Sequence, residues 1–387
     1  MSAPLPSNFV PVRQQVFKMR KARHSHLAFL LISILASSFA TFGQTATPTP
    51  KPADDDEIIK VDSRLIVIPV SVTDANGQAI LGLKVQDFKI NEENRPQVVD
   101  SVRTAESVPL EIALLFDISA TTSPMFKFQQ ETAAKFLRDV MRENDRATIF
   151  TVGSRAQLIQ ARATAEKSIE SIHSIIPTKE QTAFYDSLNV AAQYLQKNSP
   201  QSVRKVIVII SDGEDTNSVG VIKALFEAER KITDDIRGEK LRELRVKARD
   251  SAKVAEQNKV LRSLQNADTV FYSINPAGSS YQLNSMSIFG QQNMQRFADE
   301  TGGSAFLPKF LPIDTKDALQ NEGNSRKNQE VLDRIFRQLA NELRSQYLIQ
   351  YYSDAEYPLN KFVKLNVGLQ TRTDVRIRSR QGFYVTN

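Results

Sequence analysis

Three short stretches of this 387-residue chain hold the residue types best able to do chemistry together. Asp117-Ile118-Ser119-Ala120-Thr121 follows the strand-like run Glu111 to Phe116, and Ser211-Asp212-Gly213-Glu214-Asp215 follows Val203 to Ile210. A carboxylate and two hydroxyls at i, i+2 and i+4 can turn three oxygens toward one point in a tight loop, and Gly213 permits a sharp turn after the second strand. The third stretch, Gln181-Thr182-Ala183-Phe184-Tyr185-Asp186, opens a helix with a hydroxyl. Every donor in the set is an oxygen. Cysteine is absent, and His24 and His26 fall in a basic, apolar leader, leaving His173 alone. Thiolate chemistry, disulfides and a histidine-rich zinc site are thereby excluded. A metal bound here is held mainly by oxygen, which points to a hard divalent cation such as Mg2+, Mn2+ or Ca2+.

Apolar strands alternating with helix-period segments must position these loops. Glu111 to Phe116, Thr148 to Val152, Val203 to Ile210, Thr269 to Ile274 and Ala305 to Leu307 read as strands, with helices at Gln129 to Met141 and Ala183 to Leu195. Runs buried on both faces and separated by helices imply a parallel sheet covered on both sides. This predicts a doubly wound α/β domain over residues 107–345, with ligands at the carboxyl ends of its strands. Within it, 219–267 is a charged helical segment broken at Gly238, with a thin stripe from Leu225 to Leu264, and reads as a solvated helix or hairpin packed at one end. Residues 308–326 read as a long loop, and Lys327 to Arg344 as a closing helix buried through Leu332, Ile335, Phe336, Leu339 and Leu343.

Strand signals also flank this domain. Leu65 to Val72, Phe88 to Ile90 and Val98 to Val102 precede it; Tyr347 to Tyr352, Phe362 to Leu369, Val375 to Ile377 and Phe383 to Val385 follow it. Three strands alone make a poor domain, so residues 58–106 and 346–387 are expected to join in one smaller β-sandwich-like domain, with the α/β domain inserted between them.

The net charge of +6 sits mostly at the start of the chain. Five basic residues from Arg13 to Arg23 precede the apolar run Leu27 to Ala36 and small residues up to Gly43, an order expected of a cleaved export signal over residues 1–43. Leu27 to Gly43 is 17 residues with four Ser and Thr, short of the roughly 20 apolar residues of a span, so no stable membrane span is expected after cleavage. Cleavage leaves 45 basic against 44 acidic residues, which removes any global electrostatic case for nucleic acid. The Pro, Thr and Asp-rich residues 44–57 read as a linker. The mature protein is expected to be periplasmic, envelope-bound or secreted.

The three oxygen-bearing stretches resemble the metal-ion-dependent adhesion site of von Willebrand factor A domains: Asp-x-Ser-x-Ser, a distant Thr, then an Asp. VDSRLIVIPVSVTDANGQAILGLKVQDFKI, TAFYDSL, ISDGEDTNS and the terminal RIRSRQGFYV are similar to the bacterial VWFA-related family first described from acidobacterial proteins, over nearly the whole mature chain. The resemblance implies that Ser119, Thr121 and Thr182 supply hydroxyl ligands and that Asp117 and Asp212 bind the cation directly or through water. It also implies a non-enzymatic protein-binding module whose metal takes an Asp or Glu carboxylate from a partner protein, and a last helix coupled to the site. Thr121 stands where Ser is usual, and Glu180-Gln181 precedes Thr182 where glycines are usual, which implies a stiffer, more acidic loop.

Two other classes compete with this reading. One is a structural or envelope-assembly module whose metal site is vestigial. The other is an extracytoplasmic hydrolase using Asp212, Glu214 and Asp215, or Ser211 with His173; no Gly-rich phosphate loop or G-x-S-x-G elbow accompanies those residues. Arg372, Arg376, Arg378 and Arg380 read as the solvated face of an edge strand, and Tyr347, Tyr351 and Tyr352 as packing rather than a nucleic-acid stacking platform.

Overall fold

The computed structural model describes residues 64–119, 126–178, 180–200, 202–233, 236–275, 285–313 and 315–385. The expected export signal, the linker and Thr121 lie outside these residues. The chain opens with β1 (Arg64–Thr73), β2 (Phe88–Glu92), β3 (Arg95–Gln97) and β4 (Ser101–Thr104). The central layer follows as β5 (Leu110–Asp117), α1 (Phe126–Val140), β6 (Arg146–Val152), β7 (Ala156–Ala163), α2 (Ala165–Ser174), α3 (Phe184–Asn198) and β8 (Arg204–Ile210). It continues with α4 (Val219–Glu229), α5 (Gly238–Asn266), β9 (Thr269–Ile274), α6 (Ser285–Thr301), β10 (Ala305–Phe306) and α7 (Ala318–Ser345). The last strands are β11 (Tyr347–Ser353), β12 (Phe362–Leu369), β13 (Arg376–Ser379) and β14 (Gly382–Tyr384).

Six strands form a sheet in the order β10-β9-β8-β5-β6-β7, parallel except for β7, which runs antiparallel to β6 at the edge. All eight residues of β5 are buried, as a central parallel strand with both faces covered requires. One face packs Leu110, Ile112, Leu114 and Phe116 against α1, α2 and α7, through residues such as Phe136, Ile172 and Leu339. The other packs Ala113 and Leu115 against α3, α5 and α6, through Leu188, Leu264 and Phe297. From β5 the chain moves to β6 on one side and later returns to β8 on the other, so strand order reverses at the carboxyl ends of β5 and β8. That crevice is where ligands bind in open α/β sheets.

The flanking strands form two four-stranded sheets, β13-β1-β11-β4 and β14-β12-β2-β3, each mixing strands from both ends of the chain. Ile66, Ile68, Val70 and Ile349 from the first share one core with Phe88, Ile90, Val363 and Leu365 from the second. Glu92 is buried between them and accepts hydrogen bonds from Tyr351, Ser353 and Tyr357. The chain passes from β4 into β5 through a short 3-10 turn, and leaves α7 for β11 through Gln346 alone. That junction is pinned by Asp145, which accepts from Leu110 N at 2.7 Å and pairs with Arg344. Arg204 donates to Leu343 O and Gln346 Oε1 beside it. Among the described residues no helix is long and apolar enough to cross a membrane.

The structure corrects several expectations. Val98 to Val102 is not one strand: Val98 is exposed and the chain breaks between β3 and β4. The loop expected over 308–326 gives way at Ala318, where the Asp317 side chain caps α7 by accepting from Leu319 N and Gln320 N. By contrast, the charged segment 219–267 forms two helices, the second starting at the Gly238 break, and the end of α5 enters the core through Val260, Leu261 and Leu264, in line with a hairpin packed at one end. Arg372 and Arg376 are exposed, but Arg378 and Arg380 are only partly so. Arg378 lies 3.7 Å from Glu342, and Arg380 donates to Val67 O and pairs with Asp268. Tyr347 and Tyr351 are buried as packing residues, while Tyr352 is half exposed.

Candidate metal centre

Asp117 is the last residue of β5, and Ser211 and Asp212 are the first after its neighbour β8. Parallel pairing in register, with Phe116 opposite Ile210, therefore delivers both carboxylates to the same edge. Asp117 is wholly buried and Asp212 is 5% exposed. Asp117 Oδ2 accepts from Ser211 Oγ at 2.6 Å, and Asp117 Oδ1 accepts from Ser119 N at 3.0 Å. Asp212 Oδ1 accepts from Glu214 N at 3.0 Å, a tight turn that Gly213 makes possible with φ of +76°.

Burial pushes the Asp117 carboxyl up to about 7, and the nearby charge of Asp212 pushes in the same direction; the hydrogen bonds from Ser211 and Ser119 pull it partly back. Two carboxylates are thus crowded into a buried site, where Asp117 accepts from the neutral Ser211 hydroxyl and the neutral Ser119 amide.

Thr182 reaches the same edge from the loop before α3. Its backbone N–H donates to Thr216 Oγ1 at 2.9 Å, and its carbonyl accepts from Thr216 N and Asn217 N, so the loops before α3 and after β8 are stitched together. Asp215 completes the seam: its carboxylate accepts from Tyr185 N, Ser218 N and Ser218 Oγ, capping the first turns of α3 and α4. Glu180, which departs from the expected glycine, accepts from Ser154 N at 3.1 Å. A Cβ on Gly153 would meet that carboxylate at 2.9 Å. The Glu180 side chain is therefore placed against the residues that follow β6.

Of the residues singled out in the sequence, the structure brings Asp117, Ser119 and Asp212 together and sets Thr182 against the Asp212 loop. The sequence reading missed Ser211 as the hydroxyl bonded to Asp117, and Asp215 as the staple. Both stand in the Ser211-to-Asp215 run, but partners 30 and 94 residues away leave no local signal. The hydrolase arrangement gains no support. Ser211 Oγ is committed to Asp117 and to Gly213 N, His173 is exposed on α2, and Asp215 is committed to backbone capping. Among the described residues no group of three or more His, Cys, Asp or Glu side chains gathers as a metal cluster. The donor set that does gather is two buried carboxylates with hydroxyls, which fits a hard divalent cation and not a soft one.

A doubly wound sheet with an oxygen-lined crevice at its switch point defines the class of protein. Residues 112–214, which contain Asp117, Ser119, Thr182 and Asp212, match the model of the von Willebrand factor type A domain family, so the chain carries a domain of that type. No curated protein matches the chain. Among solved structures, the chain is similar to an aerotolerance-related membrane protein from Bacteroides fragilis, with 15% identity over 59% of this chain and 98% of that one and a TM-score of 0.34. It is also similar to proximal thread matrix protein 1 from the mussel byssus, whose structure has a zinc-occupied metal-ion-dependent adhesion motif. That likeness has 12% identity over 65% of this chain and 49% of that one, and a TM-score of 0.35. The SpRpn10 von Willebrand A domain shares 12% identity over 55% of this chain and 93% of that one, with a TM-score of 0.34.

Proposed function

We propose that the chain is an exported, non-enzymatic protein-binding module that captures a partner's Asp or Glu through a divalent cation. Asp117, Ser119, Thr121, Thr182 and Asp212 hold that cation, with Mg2+ foremost and Mn2+ or Ca2+ as substitutes. The observation that carries the reading is the buried convergence of Asp117 and Asp212 at the carboxyl ends of two adjacent parallel strands, among hydroxyl donors.

Two carboxylates and neutral hydroxyls leave a divalent ion short of full charge neutralisation, so a bound cation supplies attraction for one foreign carboxylate. Ser211 orients Asp117 through its 2.6 Å hydrogen bond, and the turn at Gly213 orients Asp212. Asp215 and Thr216 hold the Thr182 loop in register with both. A leader of five basic residues followed by an apolar run supports an extracytoplasmic setting, periplasmic, envelope-bound or secreted.

Calorimetric titration of Mg2+ into the wild-type chain and Asp117→Ala, paired with affinity capture from envelope extract with and without chelator, tests this reading. Wild type is expected to take up the ion and to capture a partner only without chelator, and Asp117→Ala to do neither. Undiminished capture by the variant, or capture that chelator does not change, would overturn the reading in favour of a structural module with a vestigial site.

A further inference from the structure

Helix α6 approaches the loop after β8 more closely than any side chain permits. A Cβ placed on Gly290 would lie 2.6 Å from the Gly213 carbonyl carbon and 2.8 Å from the carbonyl oxygens of Asp212 and Gly213. One placed on Gly213 would lie 2.6 Å from the Gly290 carbonyl oxygen. These are contacts of backbone on backbone, so no rotamer change relieves them. Glycine is, after proline, the least favourable residue for a helix, yet it stands inside α6 at the position facing this loop. Three residues earlier on the same face of the helix, the Ser287 hydroxyl donates to Glu214. Four residues later, buried Met294 places its methyl 3.0 Å from the Cβ position of Gly213. Asn293 of the same helix donates to the Tyr185 hydroxyl at 2.6 Å, beneath the start of α3. Successive turns of α6 therefore grip Glu214, Gly213 and the floor below the Thr182 loop.

We infer that α6 is a positioning element for the candidate metal loop, in which Gly290 admits Gly213 and Ser287 fixes Glu214 so that the Asp212 carboxylate is held beside Asp117. The inference rests on the metal reading above and extends it to residues that do not touch the ion. Close packing of two backbones leaves one seating for the loop. Asp212 is tied to that seat through its neighbours, because its Oδ1 accepts from Glu214 N.

The test compares the full-length wild type with Gly290→Ala, Ser287→Ala and Gly323→Ala. Gly323 lies in α7 with nothing within 4 Å of an added Cβ, and so controls for a helical glycine replaced without steric consequence. Mn2+ affinity by calorimetry is expected to fall about 10- to 100-fold in Gly290→Ala, the usual cost of losing an outer partner of a metal ligand. It should weaken in the same direction in Ser287→Ala and stay at the wild-type value in Gly323→Ala. In metal-free protein, backbone amide exchange at Gly213 to Asp215 is expected to quicken in Gly290→Ala and Ser287→Ala only. Wild type that takes up no Mn2+ overturns the metal reading itself. Wild type that binds, with both α6 variants binding equally well, overturns the positioning role alone, as does unchanged loop exchange in both. Should Gly290→Ala fail to fold, Ser287→Ala, which adds no bulk, decides the matter.

Discussion

A carboxyl group taken out of water is driven toward its neutral form unless a cation or enough hydrogen bonds hold its charge. The chain meets this problem at several positions and answers it differently at each. Glu92 is surrounded by three hydroxyl donors and ties two sheets together. Asp215 is surrounded by backbone N–H groups and a serine and ties two helix starts together. Glu342 faces the Ser304 and Tyr272 hydroxyls and Arg378 at 3.7 Å, yet burial still leaves its carboxyl above the ordinary range. A group raised by folding binds its proton more tightly in the native state, so its contribution is full below the unfolded value and is lost as pH rises through the folded value. Glu342→Gln, which keeps the shape and cannot ionise, is accordingly expected to melt higher than wild type at pH 8, with the gap closing toward pH 4. A Glu342→Gln variant that melts below wild type at pH 8, with the deficit closing on acidification, would show that the Arg378 pair, and not burial, governs this carboxyl.

Among the elements, the legible ones are those whose own sequence carries the pattern. β5 and β9 are continuous apolar runs, and the second half of α7 repeats Leu332, Ile335, Phe336, Leu339 and Leu343 on one face. β7 escapes a sequence reading because it lies at a sheet edge with most residues exposed, so it offers no apolar run. α6 escapes it because its stretch is rich in Gln, Asn and Met with Gly290 inside it. The reason for that glycine lies in a loop far away in the chain. The first turns of α7 are hidden because they bury little and are set by the Asp317 cap. At the site, residue types and loops are readable, but the Ser211 to Asp117 bond and the Gly213 to Gly290 contact are products of register and packing. The burial pattern of α7 gives a direct prediction. Leu339→Ala removes a wholly buried side chain and is expected to cost about 2–5 kcal/mol in urea denaturation. Leu319→Ala, on the exposed first turn, is expected to stay within about 0.5 kcal/mol. Equal losses would mean that α7 is not seated on the sheet as described.

At the scale of the whole molecule, the two flanking sheets depend on both ends of the chain at once. β1 is paired on its two sides by β11 and β13, and β2 is paired by β12, all from the last part of the sequence. Deleting residues 346–387 uncovers Ile66, Ile68, Val70 and Ile90 together. Such a truncation is expected to leave residues 64–106 rapidly digested in limited proteolysis, with loss of soluble yield, and persistence of that segment would refute the shared core. The register of β1 on β11 carries one more consequence. Arg64 pairs with Ser353 and Val70 with Tyr347, so the chain enters this ladder at one end while α7 joins it at the other. A pull applied between Arg64 and the start of β11 at Tyr347 would draw the two antiparallel strands lengthwise in opposite directions. Seven residue pairs would then be loaded in shear simultaneously instead of peeling apart one by one.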